Sequence, residues 1–520
     1  MNENGISEDG EGIDEARAGR VGVIEGAERP STSAEAAPDR GALPWLGDAG
    51  LADEADTELP PGPRAPAGVQ ALEWVRRPAE FMERNRRRYG PIFRDRLGPM
   101  QRAAFVSEPR TVRAILAGDP EVLRMGDANG LMRPAVGPRS ILLLDGEEHL
   151  QQRRLLLPPF KGDHVRGYRE LIAEAAERRI AAWPMERPLA LQPEMEEIAF
   201  STILAIVMGR DAALAEARIR TLLPKMMELC ASPFNLLPWF HRELGGVTPW
   251  GRLLATVEEL DEVVFGEIHN RRIAPDLEAR DDLLSMLVQA RHPDGRALSD
   301  REIRDETVTL LMAGWETTSS ALAWAFERLA RHPEVTDRLA STLGAGDRTY
   351  LDAVVKETLR QRPVIPALVR KLAAPMRFGE YAFPAGWVLM PSVYLLHHEP
   401  SIYPDPHEFR PERFLDGPPA RALWIPFGGG VRRCLGASLA ELEMTTVVEA
   451  VVTRLALQAV RQAPEPARRQ RFTLTPGEGT LVSVNRRRRR APASRRAAPV
   501  RESRAETHAA LAALRARPAS

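Results

Sequence analysis

The chain has 520 residues, 44% of them hydrophobic, and a formal net charge of −1. That is enough apolar material for about three domains of roughly 150 residues, or for one large enzyme domain, and the balanced charge gives no bias toward nucleic acid or acidic partners. Cys230 and Cys434, the only cysteines, cannot build a disulfide framework or a zinc site and fit a reducing compartment. No basic-then-apolar leader opens the sequence and no run approaches the ~18 apolar residues of a membrane span, so a cytoplasmic protein is expected. Lysine occurs only at Lys161, Lys225, Lys356 and Lys371 while arginine abounds, a codon bias of GC-rich bacterial genomes.

Residues 1–57 are acidic and rich in Gly, Ala and Ser, with little periodicity; they cannot offset the entropy of ordering and are expected to be disordered. Folded structure should begin near Leu59, after which "LEWVRRPAEFMERNRRRYG" reads as a helical pattern closing on Gly90. "PIFRDRLG", "RAAFVS" and, near the end, "LVSVN" alternate as short strands. "DGEEHLQQRRLLLPPF" reads as a helix starting near Asp145, with His149 and Arg153 four residues apart on one face. Cys230, inside "LLPKMMELCASPF", reads as an inert buried thiol.

A long helix opens at "SDRE", where Ser299 and Glu302 fit a capping box, and closes at His332 and Pro333. Spanning more than 30 residues, it would run about 48 Å at 1.5 Å per residue, enough to cross a domain. Its middle is apolar nearly all round and should be buried. "AGWETTS" within it is poor helix design, which favours a functional reason. Ala313 and Thr317 share a face, and threonine hydroxyls can bond the carbonyl four residues back. In "KETLRQRP", Glu357 and Arg360 are three apart; on a surface such a pair is worth under ~1 kcal/mol. The Arg-rich stretch from 486 to 520 reads as a disordered, solvated tail in which "THAALAALRAR" could form one short helix. One α-rich domain over 58–485 is the simplest organisation.

The remaining question is the loop "PFGGGVRRCLG". A phosphate cradle would need a Lys-Ser/Thr ending or spaced glycines, and the loop has neither. A buried structural thiol is a second reading. The third is a thiolate presented to a metal: Arg432 and Arg433 precede Cys434, a helix begins just after it, and both features lower a thiol pKa. The glycines would let a flat ligand approach and aim amides at the sulfur.

This stretch resembles the haem-binding loop of the cytochrome P-450 family, Phe-x-x-Gly-x-Arg-x-Cys-x-Gly, with Phe427, Gly430, Arg432, Cys434 and Gly436 at every fixed position. The resemblance implies a mainly α fold, a single large α-rich haem domain with small β-sheets, and Cys434 as axial ligand of haem b (iron protoporphyrin IX). It places Ala313 and Gly314 over the haem, gives Thr317 a hydrogen bond to dioxygen, and makes Glu316 the acid of an acid-alcohol pair that delivers protons. His149, Arg153, Arg370 and Arg432 would hold the propionates. Arg413, from "FRPERF", would join Glu357 and Arg360 in a buried structural triad.

The family's reaction is insertion of one oxygen atom from O2 into a lipophilic substrate such as a terpene or fatty acid, with an apolar pocket drawn from residues 126–142, the region "LLPKMMELCASPFNLLPWF", Leu310, Leu311, "VIPALV" and "TPGEGT". No flavin or iron–sulfur motif follows the haem region, so electrons should come from a ferredoxin or flavodoxin with its NAD(P)H reductase, received at a basic face of Arg153, Arg154, Arg432 and Arg433. A peroxide-driven peroxygenase, a haem-thiolate sensor and an oxygen-independent isomerase or dehydratase are the alternatives. Only an oxygen-activating enzyme needs Glu316 and Thr317 together.

Overall fold

The computed structural model describes residues 50–51, 58–97, 100–232, 248–415 and 423–487. The expected disordered termini, the short helix in the tail and the second half of "LLPKMMELCASPFNLLPWF" lie outside these residues. Two edges differ from expectation. Gly50–Leu51 is a strand paired with Arg377 and Met376, and the final strand Leu481–Arg486 runs past 485, with Arg487 ion-paired to Asp337 at 2.9 Å.

The first helical pattern is two helices, Ala67–Arg76 and Pro78–Tyr89. Pro78 has no amide to continue the first helix and restricts the residue before it, so Arg77 leaves helical geometry at φ −145°, ψ 62° and the chain turns. The predicted strands Ile92–Leu97 and Met100–Val106 form a hairpin within a five-stranded sheet, continued by Val388–Pro391, Arg370–Leu372 and Leu123–Arg124. All its pairings are antiparallel except that of Met100–Val106 with Val388–Pro391. Leu455–Ala459, Leu481–Arg486 and Pro188–Ala190 make a second sheet, and Ala467–Gln470 with Thr473–Pro476 a separate hairpin. Small sheets on a helical body are the expected class.

The body is built around the 32-residue helix Asp300–Arg331. The Glu302 amide donates to Ser299 Oγ at 3.3 Å and the Ser299 amide to Glu302 Oε2 at 2.8 Å, so the capping box forms as the sequence predicts. Helices Leu191–Met208, Pro249–Arg272, Thr349–Gln361 and Ala437–Val452 pack around it and share one apolar core. Past its first two residues the helix is buried along nearly its whole length, and in its middle Ala313 is exposed, next to buried Met312 and half-buried Gly314. An exposed residue in the middle of a core helix marks the wall of an internal cavity.

Candidate active site

The cysteine loop is shaped by its backbone. Gly428 and Gly430 take φ of 71° and 63°, a region in which a side chain is strained, and a Cβ at Gly430 would lie 1.9 Å from the Leu116 carbonyl oxygen. Gly430 is thus required by the approach of the helix Pro109–Ala117. Gly436 differs: a Cβ there would meet nothing within 4 Å, so no packing of the chain excludes it. The Cys434 amide donates to the Phe427 carbonyl at 2.9 Å, closing the loop on itself. Helix Ala437–Val452 then begins three residues past the cysteine, with Gly436 as its cap.

Cys434 is accessible to solvent by area, yet protein surrounds it closely enough to desolvate it. Both hold if the sulfur faces the inside of a cavity. Burial pushes its pKa above the ordinary thiol value, opposed by the Gly436 amide donating to the sulfur and by the Arg433 and Arg153 charges. The expected lowering by neighbouring cations is therefore present but outweighed in the protein alone, because desolvation of the thiolate is the larger effect.

On the long helix, Thr317 Oγ1 donates to the Ala313 carbonyl at 2.7 Å, as the spacing allows. Ala313 and half-buried Thr317 share the cavity face. Gly314 and Glu316 do not. A Cβ at Gly314 would sit 2.5 Å from Ile203 Cδ1, so this glycine is explained by close packing of helix Leu191–Met208. Buried Glu316 is turned to the hairpin: Oε1 accepts from the Phe472 amide at 2.9 Å, the Thr473 amide at 3.2 Å and Thr473 Oγ1 at 3.0 Å. Burial raises its pKa, while these donors and Arg471 pull the other way.

His149, Arg153 and Arg370 gather around Arg432, which is paired with one carboxylate, Asp145. Arg432 donates to the Ile141 carbonyl at 3.2 Å, to the Leu144 carbonyl, and to Asp145 Oδ1 at 2.5 Å. Its side chain is 5% exposed, so it faces inward and the expected surface basic patch reduces to Arg433, Arg154 and half-buried Arg153. Burial, then the Arg432, Arg153 and Arg370 charges, push His149 down to about 3. Burial is the main cause that brings both guanidiniums to about 10; the Arg432 charge adds to it at Arg370 and the Arg153 charge at Arg432, each partly offset by Asp145. His149 Nδ1 and Arg432 Nε are buried with no hydrogen-bond partner among the described residues. Excess positive charge with unmet donors suits a ligand that brings carboxylates.

The structure brings Glu357, Arg360 and Arg413 together. Arg360 Nε and Nη2 donate to Glu357 at 2.7 and 2.9 Å, and Arg413 Nε stands 3.4 Å from Glu357 Oε1 at ion-pair distance without hydrogen-bond alignment.

One set of residues was not foreseen. Asp305 accepts from the Arg139 amide at 2.9 Å, Thr309 Oγ1 meets Ser140 Oγ at 2.7 Å, and Glu306 accepts from the Ile141 amide at 2.8 Å and Gln152 Nε2 at 2.9 Å. They bolt residues 139–141 to the long helix, and this same segment supplies the Ile141 carbonyl that holds Arg432. The signal was there: adjacent acids in "RDETVTLL", a helix otherwise apolar.

These residues fit a haem. A cysteine with an amide donor to its sulfur and a small-residue helix face border internal space, and a cation cluster with unmet donors suits the propionates.

Comparison with known proteins agrees. The family model "Cytochrome P450" matches residues 60–482. Cytochrome P450 135B1 of Mycobacterium tuberculosis is 38% identical over 433 residues, covering 82% of this chain and 91% of that protein. Cytochrome P450 138 of Mycobacterium bovis is 34% identical over 430 residues, covering 82% and 97%. The structure of retinoic acid-bound cyanobacterial CYP120A1 superposes with a TM-score of 0.73 at 23% identity, covering 83% of this chain and all of that one, and supports the fold. The chain belongs to the cytochrome P450 family of haem-thiolate monooxygenases.

Proposed function

We propose that this cytochrome P450 binds haem b through Cys434 and inserts one oxygen atom from O2 into a lipophilic substrate, a terpene, fatty acid or other secondary metabolite, with electrons from a separate ferredoxin or flavodoxin and its NAD(P)H reductase. The observation that carries the reading is the pairing of an accessible but desolvated Cys434, its sulfur receiving the Gly436 amide, with an exposed Ala313 in the middle of a mostly buried helix. When bound, a haem held by thiolate supplies O–O cleavage and oxygen insertion.

The chain's own residues do the rest. Arg433 and Arg153 stabilise negative charge on Cys434. Arg432, Arg370 and His149 take the propionates, where the unpartnered Arg432 Nε and His149 Nδ1 offer donors. Ala313 leaves room beside Thr317, whose hydroxyl, now donating to the Ala313 carbonyl, can turn to hold a proton in the cavity. Glu316 is the acid behind it. Half-buried Ile365, Ala367, Leu368 and Val369 favour an apolar substrate over a charged one. Exposed Arg433 and Arg154 form the docking face for an acidic electron carrier in the cytoplasm.

The test is the carbon monoxide difference spectrum of the reduced protein, wild type and Cys434→Ser, followed by NADH-driven turnover with ferredoxin and reductase. The red-shifted Soret band of a thiolate complex, lost in the variant, is expected. The same band in Cys434→Ser refutes the ligand assignment, and turnover with peroxide where NADH, ferredoxin and reductase give none refutes the electron-transfer assignment.

A further inference from the structure

Glu316 is held by an unusual turn. Gln470 pairs with Thr473 across the hairpin, so Arg471 and Phe472 form a two-residue loop. Arg471 adopts φ 47°, a left-handed backbone that glycine or asparagine takes more readily than arginine. The following two amides and the Thr473 hydroxyl all reach Glu316 Oε1. Oε2 accepts no hydrogen bond among the described residues. One oxygen of the acid is fixed and the other is free to exchange a proton.

The Arg471 side chain explains why an arginine occupies a backbone unsuited to it. Its guanidinium lies 4.8 Å from the Trp315 ring centre, beside Glu316 on the long helix, and Trp315 packs edge-on against Phe200 at 4.8 Å. The other end of the guanidinium faces outward, 3.6 Å from Glu196 and 3.5 Å from Glu228. Glu228 is 65% exposed and Glu196 23%, whereas Arg471 is 9% exposed. Gln470 Nε2 also donates to Glu196 at 3.1 Å. Arg469, half-buried on the same hairpin, is the other cation that senses Glu316. A line of charged groups thus runs from the surface of helices Leu191–Met208 and Ala213–Cys230 to the acid.

We propose that the Arg471–Thr473 turn is a latch that positions Glu316 for proton delivery, with Arg471 as the positioning residue and Glu196 and Glu228 as its surface anchors. This rests on the reading of Glu316 as the proton-delivering acid. Arg471 does not touch the reacting atoms; it fixes the turn, and the turn fixes Glu316 Oε1.

The experiment uses haem-loaded protein with NADH, a plant-type ferredoxin and its reductase, and reads the peroxide released per NADH consumed for Glu316→Gln, Arg471→Ala, Arg471→Lys, the double Glu196→Gln/Glu228→Gln variant and the combined Glu316→Gln/Arg471→Ala variant. A second readout, independent of turnover, is the infrared carboxylic acid band that Glu316→Gln abolishes, followed against pH. Glu316→Gln and Arg471→Ala should each raise peroxide release several-fold, with the combined variant no worse than Glu316→Gln alone. Loss of the Arg471 cation should make the acid band persist to higher pH, Arg471→Lys should restore part of the wild-type titration, and the double carboxylate variant should move peroxide release in the same direction as Arg471→Ala. If Glu316→Gln raises peroxide while Arg471→Ala matches wild type in both readouts, the latch fails and the acid reading stands. Additive effects in the combined variant also overturn the latch. A Glu316→Gln protein that behaves as wild type removes the acid reading and the latch together.

Discussion

Glu357→Gln isolates what the buried triad is worth. The carboxylate receives Arg360 Nε at 2.7 Å, Arg360 Nη2 at 2.9 Å, the Arg410 amide at 2.9 Å and the Arg413 charge at 3.4 Å. Glutamine keeps the size and one acceptor oxygen but removes the charge, leaving two guanidiniums that are 0% and 3% exposed facing each other. Removing one partner of a buried pair typically costs about 3–5 kcal/mol. Arg360 retains the His397 and Pro406 carbonyls at 2.8 Å each, and Arg413 the Asp405 carbonyl at 2.7 Å, which points to the lower end, about 3 kcal/mol. Arg413→Ala takes its own charge away and leaves Glu357 with Arg360 and the Arg410 amide, so it should cost less, about 1–2 kcal/mol. Against a typical total of about 5–15 kcal/mol the first loss is large. The triad also reaches the cysteine loop, because Arg360 donates to the His397 carbonyl and His397 Nε2 accepts the Ile425 amide at 3.0 Å. Urea unfolding of the haem-loaded proteins, followed by far-ultraviolet circular dichroism and by the Soret band, should show Glu357→Gln losing both stability and retained haem. Equal losses in the two variants, or a Glu357→Gln cost under about 1 kcal/mol, would refute the argument from stranded charge.

Gly430→Ala should prevent the loop from closing, since its Cβ would meet the Leu116 carbonyl oxygen at 1.9 Å on a positive-φ backbone; Gly436→Ala, with nothing within 4 Å, should leave the apoprotein's melting temperature unchanged and lower haem uptake, measured by titration with hemin. Arg433→Glu should slow reduction by ferredoxin and flatten its dependence on salt without changing substrate affinity; stopped-flow reduction rates identical to wild type across a salt series would sink the docking face. Burial alone would raise the Glu302 pKa, but Arg296 and the Ser299 donors outweigh it and bring the group down to about 2. A carboxyl held below its unfolded value contributes stability that is complete above about 4.5 and lost as pH falls toward 2. Glu302→Gln should therefore cost about 1 kcal/mol at pH 7, as helix caps do, and less at pH 4. A cost that is independent of pH counts against the ionic share of the cap.

Much of this protein was legible because its signals are local. The capping box at Ser299 and Glu302 and the shared face of Ala313 and Thr317 depend only on the helical repeat, and both recur in the structure. The Cys434 loop could be read because its residues are contiguous. What spacing does not encode is which neighbour arrives at each side of an element. Gly314 is adjacent in sequence to Ala313, yet a step of about 100° around the helix turns it to Ile203. Arg432 and Arg433 are adjacent too, and only one is exposed, because the carbonyls of Ile141 and Leu144 come to Arg432 from nearly 300 residues away.

The same limit explains Glu316, and it carries the main physical point about the site. The sequence places an acid next to Thr317 but cannot show that the hairpin, 156 residues further on, supplies the amide that fixes it. A carboxyl buried this deeply has its pKa raised by desolvation, which favours the protonated form, while Phe472, Thr473 and Arg471 favour the ionised one. The balance between those opposing influences lies in the conformation of a two-residue turn. A change at the turn therefore alters the acid's readiness to give up a proton without touching the long helix, so, on the proposed reading of Glu316, Arg471 is a probe of proton delivery that leaves Thr317 and Glu316 in place.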